Sequence, residues 1–280
     1  MYVTRHVDWL SFSIKSSSDW RSVFPTFAFT FSGRGSHGYR AKYVNLATGM
    51  VIQTDSADTE MGHAFQLSGD VLSNLRRESG SDDTALSQRI VRVGGKASRI
   101  DLTINVHEGK LTPRAVQSAV KSGRAKAKAI ASRFVEGKNG DIEGDTFYIG
   151  SPTSDRQFRA YNKSAELGIV DGASWLRLEL ELRRIRADGA FRSCALNGVD
   201  AAVAGHMADF LNWGDLEYQA ALGQEAVQPV DIPRRDTNRQ RWLLGQVAQA
   251  LAKEICVDED FALKFWSSVG EAVDLIKSGE

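Results

Sequence analysis

Between Trp175 and Arg183 leucine takes every second position: Leu176, Leu178, Leu180 and Leu182 alternate with Arg177, Glu179, Glu181 and Arg183. A period of two sends successive side chains to opposite faces of an extended strand, so one face is leucine and the other is charge. The alternation recurs at residues 98–107, where Ile100, Leu102, Ile104 and Val106 oppose Arg99, Asp101, Thr103, Asn105 and His107. At 156–163, Phe158 and Ala160 oppose Arg159, Tyr161 and Lys163, and a further strand-like run, 145–151, precedes it. Such strands must bury their apolar faces against another layer. The expected class is therefore α+β, with a largely antiparallel central sheet, flanking helices and a small C-terminal helical region.

The rest of the chain fills in this outline. Aromatic and β-branched runs predict strands at 7–14, 25–31 and 60–69. Helices are expected at 71–78, capped by Ser68 or Asp70, near 84–88, and from Thr112-Pro113 to about 121, with threonine as cap and proline in the first turn. Residues 126–135 read as strand or helix. Helices at 187–196 and 201–213 are parted by Asn197-Gly198, and 224–233 reads as a linker. Residues 238–255 and 258–277 form a helical hairpin with apolar faces of Trp242, Leu243, Val247 and Leu251, and of Phe261, Phe265, Val269 and Val273. The expected division is a main domain over 1–215 and a helical region over 216–280. Gly33-Arg-Gly-Ser-His-Gly38 spells a dinucleotide fingerprint, but strand, turn and strand follow where that site needs a helix. It reads as a glycine-rich hairpin turn.

Formal net charge is zero, from 35 Lys and Arg against 35 Asp and Glu. The distribution is uneven. Lys110, Arg114, Lys121, Arg124, Lys126, Lys128, Arg133 and Lys138 face only Glu136 over the same run. Further basic groups are Arg183, Arg184, Arg186 and Arg192, and Arg234, Arg235, Arg239 and Arg241. A neutral total can hide a basic face suited to phosphates. No run approaches the roughly 20 apolar residues of a membrane helix, and no signal-peptide core opens the chain. Cys194 and Cys256 are the only cysteines, which implies no disulfide framework. A cytoplasmic setting without membrane attachment is expected.

The polar faces carry the chemistry. Tyr161 stands between Arg159 and Lys163 on one strand face. A phenol, with an ordinary pKa of about 10, is a poor nucleophile at neutral pH, and neighbouring cations favour its phenolate. Asp101, Glu179 and Glu181 supply oxygen ligands of the kind Mg²⁺ or Mn²⁺ prefers, and His107 shares the face of Asp101. Such an ion polarises a scissile phosphate. The expectation is a metal-dependent tyrosine site that cuts a DNA backbone. His6, His37, His63 and His206 show neither His-x-His nor His-Glu-x-x-His spacing.

Ordered landmarks extend this reading. They are Val7-Asp-Trp-Leu-Ser-Phe, Gly35-Ser-His-Gly-Tyr39, Met61-Gly-His-Ala-Phe-Gln-Leu-Ser-Gly69 and Arg99-Ile-Asp101. Then follow Tyr148-Ile-Gly-Ser-Pro-Thr-Ser154, Arg159-Ala-Tyr-Asn-Lys163 with Glu166, and Trp175-Leu-Arg-Leu-Glu-Leu-Glu181. Over roughly 5–215 they resemble the replication initiation factor family, which includes rolling-circle initiators of staphylococcal plasmids and filamentous phages and relaxases of conjugative elements. The phage branch looks nearest. The resemblance implies site-specific nicking of one origin strand through a 5′-phosphotyrosyl intermediate. Tyr161 is the implied nucleophile and Tyr148 the backup. Asp101, Glu179 and Glu181 are the implied metal-holding acids, and Arg159, Lys163 and Arg177 contact phosphate.

Arg99, Arg183, Lys121, Arg124, Lys126 and Lys128 complete the expected DNA-binding set. Two departures from the family pattern stand out: Asn162 follows the tyrosine where an acid is usual, and Asn105 replaces a second aspartate. The alternatives are a non-cleaving, sequence-specific DNA-binding regulator on the same scaffold, and a conjugative relaxase. Expected partners are origin DNA, as a single strand or an extruded hairpin with flanking duplex, a host helicase and a second copy of the chain. The C-terminal helices are candidates for binding duplex DNA or either protein.

Overall fold

A computed structural model describes residues 2–80, 82–107, 111–137, 144–168, 175–213, 248–257 and 259–278. The chain divides into two compact units, Met1–Ile232 and Pro233–Glu280.

The larger unit is built on one ten-stranded sheet. In chain order its strands are β1 (Tyr2–Ile14), β2 (Thr30–Gly33), β3 (Tyr39–Val44), β4 (Val51–Ser56), β5 (His63–Leu67) and β6 (Lys96–His107). A short strand, β7 (Ala125–Ala127), lies outside it, and β8 (Ser132–Val135), β9 (Thr146–Ile149), β10 (Arg156–Asn162) and β11 (Trp175–Arg183) complete it. The spatial order is β2-β3-β4-β5-β1-β6-β11-β10-β9-β8. Every pairing between neighbours is antiparallel. The expected α+β class with an antiparallel sheet is what the chain forms. Residues 126–135, open between strand and helix in the sequence, hold the end of β7 and all of β8 with an irregular link between them. β7 pairs with β12 (Leu211–Trp213), so the helix expected over 201–213 ends short of it.

The helices of this unit are α1 (Gly69–Ser79), α2 (Asp83–Arg92), α3 (Pro113–Lys121), α4 (Lys163–Glu166), α5 (Arg184–Asn197) and α6 (Val199–Phe210). Thr112 caps α3 through its side chain, as the Thr-Pro pair predicts. Helix α5 packs on β6 and β11, and α6 on β1 and β6. They cover the apolar face, where Leu176, Leu178, Leu180 and Leu182 are all buried with Ile100, Leu102, Ile104 and Val106. Each such side chain contributes about 2 kcal/mol to the layer contact. Strand β5 reaches β1 only from Leu10 to Ile14, so the first half of β1 lacks a strand neighbour on that side. Side chains take its place: the Val7 N–H donates to Asp83 Oδ2 at 2.9 Å, and Arg76 donates to the Val7 carbonyl at 2.7 Å. Val7 thereby has its backbone groups satisfied without a ladder.

The smaller unit contains α7 (Ala248–Val257) and α8 (Glu259–Ser278). Phe261 and Phe265 stack at 6.3 Å. The expected linker at 224–233, the basic group at 234–241, and Trp242, Leu243 and Val247 lie outside the described residues.

Candidate active site

The face of the sheet opposite α5 and α6 carries the polar halves of the alternating strands. Register lines them up in rows. Asp101 on β6 lies opposite Trp9 on β1 and Glu181 on β11, with Gln157 beyond. The next row is His6, Thr103, Glu179, Arg159 and Tyr148, and the next is Thr4, Asn105, Arg177, Tyr161 and Thr146. Residues from five strands thus meet, although some are more than 150 positions apart in sequence.

Most of this polar face is buried. Asp101 is 2% exposed, Glu179 1% and Arg177 5%. Charges so enclosed persist only when paired. Arg99 grips Asp101 with two hydrogen bonds, at 2.9 and 2.7 Å, and reaches Glu181 at 3.3 Å. Arg183 pairs with Glu181, and Arg159 with Glu179. Arg177 donates to Asn105 at 2.9 Å and meets Asp8 at 3.1 Å. Burial is the largest influence on Asp101 and, with Glu179 and Glu181 close by, outweighs Arg99 to push its pKa up to about 6.

Asp8 and His6 are the residues that sequence reasoning missed. Opposite Asp101 the register slips, and Asp8 and Trp9 share one partner position, a β-bulge. The slip leaves Asp8 among the charges. Burial works to raise its pKa, but the hydrogen bond from His6 and the charge of Arg177 hold it well below the usual carboxylate range. The signal was legible: the inward positions of β1 change from odd (Val3, Val7) to even (Leu10, Phe12, Ile14), which requires an extra residue between Val7 and Leu10.

Tyr161 and Tyr148 open into one cleft of about 370 Å³, lined also by Asp145, Thr146, Arg159 and Glu166. The Arg159 guanidinium lies 5.8 Å and the Lys163 ammonium 5.9 Å from the centre of the Tyr161 ring. Both cations lie near the ring, Arg159 on the strand face and Lys163 at the start of a helix, but their effect is overridden. Burial first, then the negative charge of Glu179, raises the Tyr161 pKa above that of an ordinary phenol, against the opposing charges of Arg177 and Arg159. Tyr161 is therefore a protonated phenol in the free protein. Arg133 covers the Tyr148 ring at 4.3 Å.

Other expectations are redistributed. Lys163 is not on the strand: it begins α4 and pairs with Glu166 at 2.6 Å, because Asn162 ends β10 by capping that helix. Asn105 accepts from Arg177 and donates to Thr4 at 3.2 Å, so both asparagines that depart from the family pattern have structural work. His107 does not join the acids. It stacks on Tyr2 at 4.4 Å and lies 5.0 Å from Trp175, six residues and about 20 Å along β6 from Asp101. Arg177 is buried in its contacts with Asp8 and Asn105. Lys121, Arg124 and Lys126 are exposed around the end of α3 and β7, and Lys128 pairs with Asp209; this basic run lies off the ten-stranded sheet.

Among the described residues, no group of three or more His, Cys, Asp or Glu side chains is arranged to hold a metal ion. The donor chemistry nonetheless suits a hard cation. Glu179 Oε1 and Thr103 Oγ1 are buried without hydrogen-bond partners, and these two residues are opposite each other in register.

Residues 95–207 match the replication initiation factor family. That stretch holds Asp101, Tyr148, Tyr161, Glu179 and Glu181, but not His6 or Asp8. The chain shares the fold of a rolling circle replication initiator protein from Geobacillus stearothermophilus. The two are 22% identical with a TM-score of 0.63, over 75% of this chain and 86% of that one. A match to the TBP of Methanococcus jannaschii, 6% identical with a TM-score of 0.26 over 72% of this chain and 98% of that one, carries no argument. No curated protein matches the chain. No helix among the described residues is long and apolar enough to cross a membrane.

Proposed function

We propose that this protein is a rolling-circle DNA replication initiator that nicks and rejoins one strand of an origin through Tyr161. The observation that carries this reading is the single cleft holding Tyr161, Tyr148 and Arg159 beside the buried carboxylates, within the stretch that matches the initiation-factor family. The Tyr161 oxygen bonds to phosphorus and the bond from phosphorus to the 3′ oxygen breaks. The protein stays joined to the 5′-phosphate, and the released 3′ oxygen takes up a proton and primes synthesis. Rejoining is the reverse.

The raised pKa of the phenol means that its proton must leave as attack begins. Glu179, whose charge bears on the phenol, is the group assigned to accept it. In the free protein each arginine of the site neutralises a carboxylate. An incoming DNA phosphate competes for Arg159 and Arg99, and the carboxylates they release become oxygen donors. Asp101, Glu179 and Glu181 would be the residues to hold Mg²⁺ or Mn²⁺, which would supply Lewis-acid polarisation of the phosphate. Lys121, Arg124 and Lys126 are assigned to flanking DNA. A host helicase and a second copy are proposed partners of the C-terminal helices, in a bacterial cytoplasm, for a phage or plasmid origin.

The test is a supercoiled plasmid carrying candidate origins, incubated with Mg²⁺ or Mn²⁺. The wild type is expected to give an open circle and a trapped phosphotyrosyl adduct, both lost in Tyr161→Phe. Equal nicking by Tyr161→Phe without an adduct overturns the assignment. Binding without nicking at every origin tried favours the non-cleaving regulator, to which the protonated Tyr161 of the free protein lends weight.

A further inference from the structure

The charged rows fill the polar face from β6 outward through β11 and β10. On the other side of β6 the same face changes character. Across β1, β5, β4 and β3, one row of register partners reads Ser13, Ala64, Gln53 and Lys42, with Lys96 on β6 at its other end. The row beside it holds Ser11 and Gln66 next to Arg99. Small side chains in the middle of a sheet leave a hollow between taller neighbours, and a cavity of about 270 Å³ lies there, lined by Ser11, Ser13, Gln53, Ala64, Gln66 and Ser98 among others. Ser98 is itself bulged out of the β1–β6 register.

Three features give the hollow a ligand class. Lys42 and Lys96 form no ion pair with any described residue, unlike the arginines of the neighbouring rows. They bracket the row across four strand spacings, about 19 Å. Gln66 presents an exposed amide of the kind that pairs with base edges, while the Gln53 carbonyl oxygen already accepts from the Ser36 N–H and hydroxyl and leaves only its NH₂ to donate. Trp9, stacked under Arg99 at 4.7 Å, lies on β1 between the hollow and Asp101.

We propose that this hollow is a second DNA subsite, which seats an unpaired base of the strand cut at Tyr161 while Lys42 and Lys96 hold the phosphates on either side. It rests on the reading of the protein as a DNA-nicking initiator. From Tyr161 on β10 to Ser13 on β1 is three strand spacings, about 14 Å across the sheet, and the length of β6 from Asn105 to Lys96, about 30 Å, along it. The separation is about 33 Å, roughly ten nucleotides at about 3.4 Å each, so a 24-mer reaches both places and a 6-mer does not. The subsite reads sequence at a distance from the cut, separately from the groups that make it.

The test uses full-length protein and fluorescein-labelled oligo(dA) and oligo(dT) of 24 and 6 nucleotides, with anisotropy read against salt. Lys42→Gln/Lys96→Gln, both at exposed or half-exposed positions, is expected to lower the salt slope on the 24-mers by about 1.4, two single-strand phosphate contacts. Ala64→Trp, which fills the hollow, is expected to weaken 24-mer binding at least about fivefold, the low end for one stacked base. Both variants leave 6-mer binding unchanged, since the short strand is held at the cleft alone. Unchanged 24-mer binding in the double lysine variant overturns the proposal. So does an equal loss on both lengths, which marks a general charge effect. If the wild type binds neither length, the DNA reading fails, and the subsite with it; wild-type binding with insensitive variants removes the subsite alone.

Discussion

Two halves of one sheet face make opposite use of the same geometry. From β6 to β10 the outward positions carry Asp101, Glu179, Glu181, Arg159, Arg177 and Arg183, and the three carboxylates and Arg177 are buried in the pairs they form. From β1 to β4 they carry Ser11, Ser13, Ala64, Gln66 and Gln53, and the face stays hollow. A buried carboxylate costs several kcal/mol unless a partner offsets it, so the first half must neutralise itself when empty. A face of small neutral groups has no such requirement and can leave its lysines waiting. On the proposed reading, the charged half serves chemistry on one phosphate and the open half recognition of the same strand farther along.

The contrast can be broken by experiment. Removing the Tyr161 hydroxyl is the largest expected change: Tyr161→Phe should lower nicking by at least about 10⁴-fold, as loss of a nucleophile does elsewhere, whereas Ala64→Trp should lower it only through weakened binding, by about fivefold below saturation. Origin nicking assays on both variants decide this. Next is Arg177→Met, which strands Asp8 in the sealed half. It should cost about 3 kcal/mol in urea unfolding. A loss of DNA affinity with stability unchanged would return Arg177 to the phosphate-binding role read from the sequence.

The third effect is on pH. Asp101 has its folded pKa raised from 3.8 to about 6. It therefore binds its proton more tightly folded than unfolded, and metal-free stability should fall as pH rises from about 4 to about 6. Urea midpoints across that window should lose this component in Asp101→Asn. The smallest effect is Tyr148→Phe: with Tyr161 present, nicking should change less than about tenfold. A loss equal to that of Tyr161→Phe would make Tyr148 the nucleophile.

Much of this was legible in the residues. The leucine alternation at 175–183 could bury one face only as a strand, and it does so; Thr112-Pro113 capped α3; Asn197-Gly198 separated two helices. Asp101, Glu179 and Tyr161 were assigned to the same kind of face, because period two leaves no other side for them. Less legible were the things that depend on neighbours. His107 shares a strand face with Asp101, but strand rise carries it about 20 Å away. Lys163 continues the alternation in sequence, but the Asn162 cap turns it into a helix.

What the sequence determined by itself was periodicity: which side chains lie inward, which outward, and therefore the class of the fold and the pool of candidate residues. Only the tertiary structure decided which strands became neighbours. Register between segments far apart in the chain set Asp8 beside Arg177, matched Arg159 to Glu179, and aligned Lys96 with Lys42 across β1, β5 and β4. It also reversed the expected ionisation of Tyr161, because a cation's influence on a phenol depends on burial and on the carboxylate standing behind it.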